Sequence, residues 1–124
     1  LEEMRTAALL HKVNSYDPLV LPAPQVLSMA TRDGAQVLRL EDVGLLKPGY
    51  KADLILINLS QAHLYPRNNL AAHMVYAAQA SDVDTVIIDG QIVMEQKKVL
   101  TIDKERVFQE VEDRSQRLIS EAQV

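Results

Sequence analysis

Cysteine is absent from the 124 residues, which excludes disulfides and thiolate metal ligands and fits a reducing, cytoplasmic compartment. No apolar run approaches the roughly 18 residues that a membrane-spanning helix needs, and no signal segment is visible. Basic residues do not cluster either. The longest basic run, Lys97-Lys98, reads as a solvated turn, and with a net charge of −4 nothing recommends a nucleic-acid partner. The chain is too short for a TIM barrel of about 250 residues. Yet 48% of its residues are hydrophobic, enough for one domain with a real core. The first residue, Leu1, lies inside a helical pattern with no initiator methionine, as expected of a fragment or a processed chain.

Reactive constellations are equally scarce. His11, His63 and His73 are the only neutral metal-ligand candidates, and they form neither a His-x-His pair nor a His-x-x-x-His spacing. His11 falls on the apolar side of a helix, His63 in a loop beside Pro66, and His73 in an element of ambiguous type. Gly44-x-x-x-x-Gly49 has the glycine spacing of a phosphate-binding loop. However, Tyr50 stands where lysine is needed, Ala52 replaces the hydroxyl, and a strand follows instead of a helix. Asn58-Leu-Ser60 matches a glycosylation sequon without a secretory signal to support it. Asp17, Asp33, Asp53, Asp82, Asp84 and Asp89 sit at turns, where capping and solvation explain carboxylates. No serine lies in a nucleophile elbow. No catalytic, cofactor-binding or metal-binding role is therefore assigned to any residue of this chain.

What the sequence does contain is ordered punctuation. The residues Leu1, Met4, Ala8 and His11 predict an amphipathic helix over about 1–12, ended by Asn14 to Pro18. A second helix should begin at Pro22 to Pro24, with Gly34 as its C′ residue and a further turn over Ala35 to Leu40. Pro48-Gly49 fits a type II turn, and the apolar run from Ala52 to Leu59 predicts an inner strand buried on both faces. Asp53 interrupts that run as a hydrogen-bonding edge residue. Val83 to Ile88, Asp89-Gly90 and Gln91 to Glu95 predict a tight hairpin. Asn68 could cap a short helix, with a strand over His73 to Ala78 as the close second reading. Asp103 should cap a C-terminal helix whose Val107, Phe108, Val111, Leu118, Ile119 and Ala122 pack it on the sheet.

Several of these blocks, in order, resemble one family. Glu3-Met-Arg-Thr-Ala-Ala-Leu-Leu-His-Lys12, Ala30-Thr-Arg-Asp-Gly-Ala35, Val43 to Ile57, His73-Met-Val-Tyr-Ala-Ala78 and Val83 to Val93 are similar to the C-terminal part of the amidohydrolase superfamily. The nearest subgroup is that of methylthioadenosine/S-adenosylhomocysteine deaminases and chlorohydrolases. Leu38-Arg39 departs from the pattern, in which glycine often follows leucine, and Tyr50 stands where lysine is frequent.

The resemblance implies an α+β arrangement. The last helices of a (β/α)8 barrel would occupy residues 1–40, the C-terminal half of a β-sandwich 41–100, and a C-terminal helix 101–124. It also implies a parent enzyme with a divalent metal, zinc or similar, held by a His-x-His, two later histidines and an aspartate. All of these would lie upstream of Leu1. The metal would deprotonate water for attack on an aminated purine carbon. The fragment itself would be inert. Its expected partners are the missing N-terminal strands and barrel, within a homo-oligomer. The rival expectation is a non-enzymatic module that self-associates through open sheet edges.

Overall fold

The computed structural model describes residues 1–122. Helix α1 spans Glu2–Ser15, with Glu2 and Glu3 in its first turn and Lys12 in its last, which suits the helix dipole. It closes three residues later than the sequence pattern predicts. Tyr16 adopts a left-handed φ of 51°, its N–H donates to Val13, and the Asp17 N–H donates to Lys12. That is a Schellman closure built without glycine.

The second helical region corrects the sequence reading. Helix α2 (Ala23–Ser28) does not stop at Gly34; it continues through a wide π turn (Met29–Asp33) into α3 (Gly34–Val37). Gly34 has an ordinary helical φ of −60°. Its missing side chain matters for another reason, since a Cβ there would lie 2.9 Å from the Met29 carbonyl oxygen. The glycine permits the widened turn instead of ending the helix. The stop comes at Arg39, whose φ of 57° lets Leu40 N–H reach Ala35 and Arg39 N–H reach Gln36. Arginine thus occupies the left-handed position at which glycine would be unstrained.

Pro48-Gly49 forms the expected turn, with a φ of 86° at Gly49 and the Tyr50 N–H donating to Lys47. Strands β1 (Leu54–Ile57), β2 (Val83–Ile88), β3 (Gln91–Glu95) and β4 (Lys98–Val99) form one antiparallel sheet in sequence order. Asp89 and Gly90, at φ 50° and 77°, make the hairpin turn that the sequence announces. The next turn, Gln96-Lys97, also has two positive φ values, yet neither residue type signals it. Asn69, not Asn68, caps α4 (Leu70–Ala72) by accepting from the Ala72 N–H at 3.0 Å. A π turn over His73–Ala77 continues that helix, so helix prevails over strand there.

The core is small and helical. Met4, Ala8, Ala23, Val26 and Val75 form one buried cluster in which alanines let α1, α2 and the 70–77 segment approach closely. Leu64 is completely buried in the 3-10 turn Ala62–Leu64. Two expectations of burial fail. β1 is an edge strand, and Ile55 and Leu56, which point to opposite faces, are 46% and 52% exposed. Nothing in the described residues pairs with its free edge. Helix α5 (Lys104–Ala122), capped by Asp103 as expected, does not pack on the sheet and buries none of its described residues. The accessible surface is 9593 Å2, against about 6,700 Å2 for a compact monomer of 13.9 kDa.

Candidate functional site

The most polar buried point is Asp82, at the end of the 3-10 turn Ala80–Asp82 that leads into β2. Its Oδ2 accepts from the Gln79 N–H at 2.8 Å and lies 2.8 Å from His63 Nε2. The Gln79 N–H, and after it the His63 ring, hold the Asp82 carboxyl below its ordinary range although burial opposes this. The carboxylate gathers three pieces of chain: the turn that carries Leu64, the end of the 70–77 helical segment, and β2. Among the described residues no third acidic or imidazole side chain joins the pair, which ties these pieces of chain together. Sequence reading places Asp82 among the turn carboxylates and His63 in a loop. The 19-residue separation of the two gives no periodic signal that could have paired them.

Stability should follow this group's charge. A depressed folded pKa means that Asp82 contributes fully above the ordinary 3.8 and loses its contribution as pH falls through the lower folded value. Asp82→Asn should cost about 1–3 kcal/mol at neutral pH and should flatten the acid arm of the stability curve. Urea unfolding at pH 7 and pH 3 checks both.

The other histidines are also engaged or remote. His73 Nδ1 lies 2.6 Å from the Asn69 carbonyl oxygen, and His11 is exposed on α1. Among the described residues no three histidine, aspartate or glutamate side chains converge. His63 is engaged with Asp82 and His73 with a backbone carbonyl. Asp53 does serve as an edge hydrogen-bonder, since its Oδ1 accepts from the Asp89 N–H at 2.6 Å and ties β1 to the hairpin tip.

A cleft of about 670 Å3 lies between the 30–46 region and the face of β1 and β2. Its walls include Leu38, Leu40, Leu45, Leu54 and Ile87, and Asp53 is the only ionisable residue among those described there. An apolar groove of this kind can receive hydrophobic side chains, and its one carboxylate accepts from the Asp89 N–H. The buried Nε–H of Arg5 finds no acceptor among the described residues.

Comparison with known proteins gives these features a context. The model of the amidohydrolase family matches residues 1–93. The chain is 57% identical over 120 residues to a 5-methylthioadenosine/S-adenosylhomocysteine deaminase of Pelotomaculum thermopropionicum, covering 97% of this chain and 28% of that protein. It is 46% identical over 119 residues to a 5'-deoxyadenosine deaminase of Methanosarcina barkeri, covering 96% and 27%. The fold superposes on a zinc-bound adenosine deaminase from Xanthomonas campestris with a TM-score of 0.90 and 29% identity, over 96% of this chain and 27% of that one. A zinc-bound atrazine chlorohydrolase from Arthrobacter aurescens gives 0.77 at 28% identity, over 87% and 24%. The chain thus spans about a quarter of the length of these relatives. The ordered motifs, the matched family model and the shared fold together make this chain a member of the amidohydrolase family.

Proposed function

We infer that this chain is the C-terminal portion of a hydrolytic deaminase acting on an adenosine-type purine, and that it supplies structure while the chemistry resides elsewhere in the parent. The observation that carries this reading is the 57% identity along 97% of the chain to a methylthioadenosine/S-adenosylhomocysteine deaminase of which it makes up 28%. On this reading, residues 1–40 are the last barrel helices and residues 41–100 complete a β-sandwich with N-terminal strands. The parent replaces an amino group by oxygen, taking up water and releasing ammonia, and its divalent metal is held by residues outside this chain. The zinc in the related crystal structures supports that requirement. No helix among the described residues is long and apolar enough to cross a membrane. We place the parent in the cytoplasm as a homo-oligomer.

The test pairs two proteins. The 124-residue chain with zinc or manganese and methylthioadenosine should release no ammonia, and the full-length parent should release it catalytically. Turnover by the chain alone overturns the structural role, whereas silence from the full-length protein overturns the deaminase reading. The second reading, a self-associating module, draws on the unpaired edge of β1 and its exposed Ile55 and Leu56. Sedimentation separates the two, because a strictly monomeric chain excludes edge pairing.

A further inference from the structure

Helix α5 is 19 residues long, so it extends about 28 Å. At 100° per residue, Val107, Phe108, Val111, Leu118 and Ile119 fall within an arc of about 120°. Lys104, Ser115 and Ala122 complete the arc. The five large side chains are 43–61% exposed. The opposite face is organised differently: Glu110 bridges Arg106 at 3.1 Å and Arg114 at 3.0 Å, and Arg117 lies 3.8 Å from Glu121. One face is therefore set for water and the other for an apolar partner that the described residues do not supply.

We propose that, in the full-length protein, α5 docks through Val107, Phe108, Val111, Leu118 and Ile119 onto the preceding part of its own polypeptide, clamping the sheet unit to it. The proposal rests on the reading of this chain as a portion of a larger deaminase. Three observations select this occupant over a second copy of the chain.

The first is area. Five half-exposed side chains fall short of the ~800 Å2 per partner that a standard interface between separate proteins buries. A tethered partner needs no such area, because linkage makes docking intramolecular. The second is what lies outside the chain. The chain accounts for only 28% of the Pelotomaculum relative. Its surface also exceeds that of a compact monomer by about 2,900 Å2. The third is placement. The superposition on the full-length adenosine deaminase covers 96% of this chain, leaving about five residues unmatched. Most of α5 therefore takes the same position there, although beyond its first turn beside β4 it buries none of its described residues. A 19-residue amphipathic helix without support would have nothing to fix its angle, and most helical stability in proteins comes from packing of such an apolar face.

Amide hydrogen exchange on the full-length protein tests the proposal, with sedimentation alongside at high and low concentration. The α5 amides should exchange at least about a hundredfold more slowly than unstructured ones, and equally slowly in monomer and oligomer. Phe108→Asp should abolish that protection, and the milder Leu118→Asn should reduce it, while Arg106→Ala on the ion-paired face should leave it intact. Unprotected amides overturn the docking, as does protection that vanishes when dilution separates the copies. A methylthioadenosine assay on the same samples keeps the two readings apart. Ammonia release with an unprotected α5 sinks only the docking; a protected α5 without ammonia release sinks only the deaminase assignment.

Discussion

Leu64→Ala is expected to lower the stability of the chain by roughly 2–5 kcal/mol, the range for truncating a fully buried leucine. Leu64 has no exposed surface. The 3-10 turn that carries it packs against the His73–Ala77 segment. Beside it, His63 is fixed to the buried Asp82, so the surrounding chain has little freedom to collapse into the space left behind. Leu64→Met, which keeps most of the volume, should cost less than about 1.5 kcal/mol. Urea unfolding of the three proteins provides the comparison. A loss near zero for Leu64→Ala would mean that the turn is not part of the cooperative unit.

Gly44→Ala should be the most damaging of the glycine substitutions, because two independent costs coincide there. The residue has a φ of 85°, which charges an L side chain about 1–2 kcal/mol. A Cβ would also stand 2.9 Å from the Ala35 Cβ, 3.0 Å from the Thr31 carbonyl oxygen and 3.1 Å from the Arg32 Cα. Forced overpacking of that kind adds about 1–3 kcal/mol, giving a total of roughly 2–5 kcal/mol. Gly49 separates the two effects. Its φ is 86°, but a Cβ added there would meet no atom within 4 Å. Gly49→Ala should therefore cost only the backbone share, about 1–2 kcal/mol. Equal losses at the two positions in denaturant titrations would show that the contact with the Thr31–Ala35 helix carries no weight.

Local rules account for what could be read along the chain. Asp89-Gly90 produced its hairpin, Pro48-Gly49 its turn and Asp103 its helix cap, since each acts on backbone only a few residues away. The reading failed where the same residue type can serve two purposes. Gly34 looked like a helix stop, but it is there to clear the Met29 carbonyl, and Arg39 takes the left-handed position instead. The Gln96-Lys97 turn gave no signal because its positive φ values are imposed by pairing of β3 with β4 and by the Lys97 N–H to Asp84 contact.

Burial was the least legible quantity. Apolar content along Ala52 to Leu59 and along α5 correctly marks surfaces that seek cover, yet pattern cannot say whether this chain provides it. Here β1 remains an edge strand and α5 stands clear of the sheet.

By itself the sequence determined the local turns and caps, the amphipathic faces and the family, because these are written in short ordered motifs. Tertiary structure alone decided that His63 meets Asp82, that Gly44 presses on Ala35, and that the apolar faces of β1 and α5 stay open. Each of these depends on distances between segments remote along the chain, which periodicity and propensity do not encode.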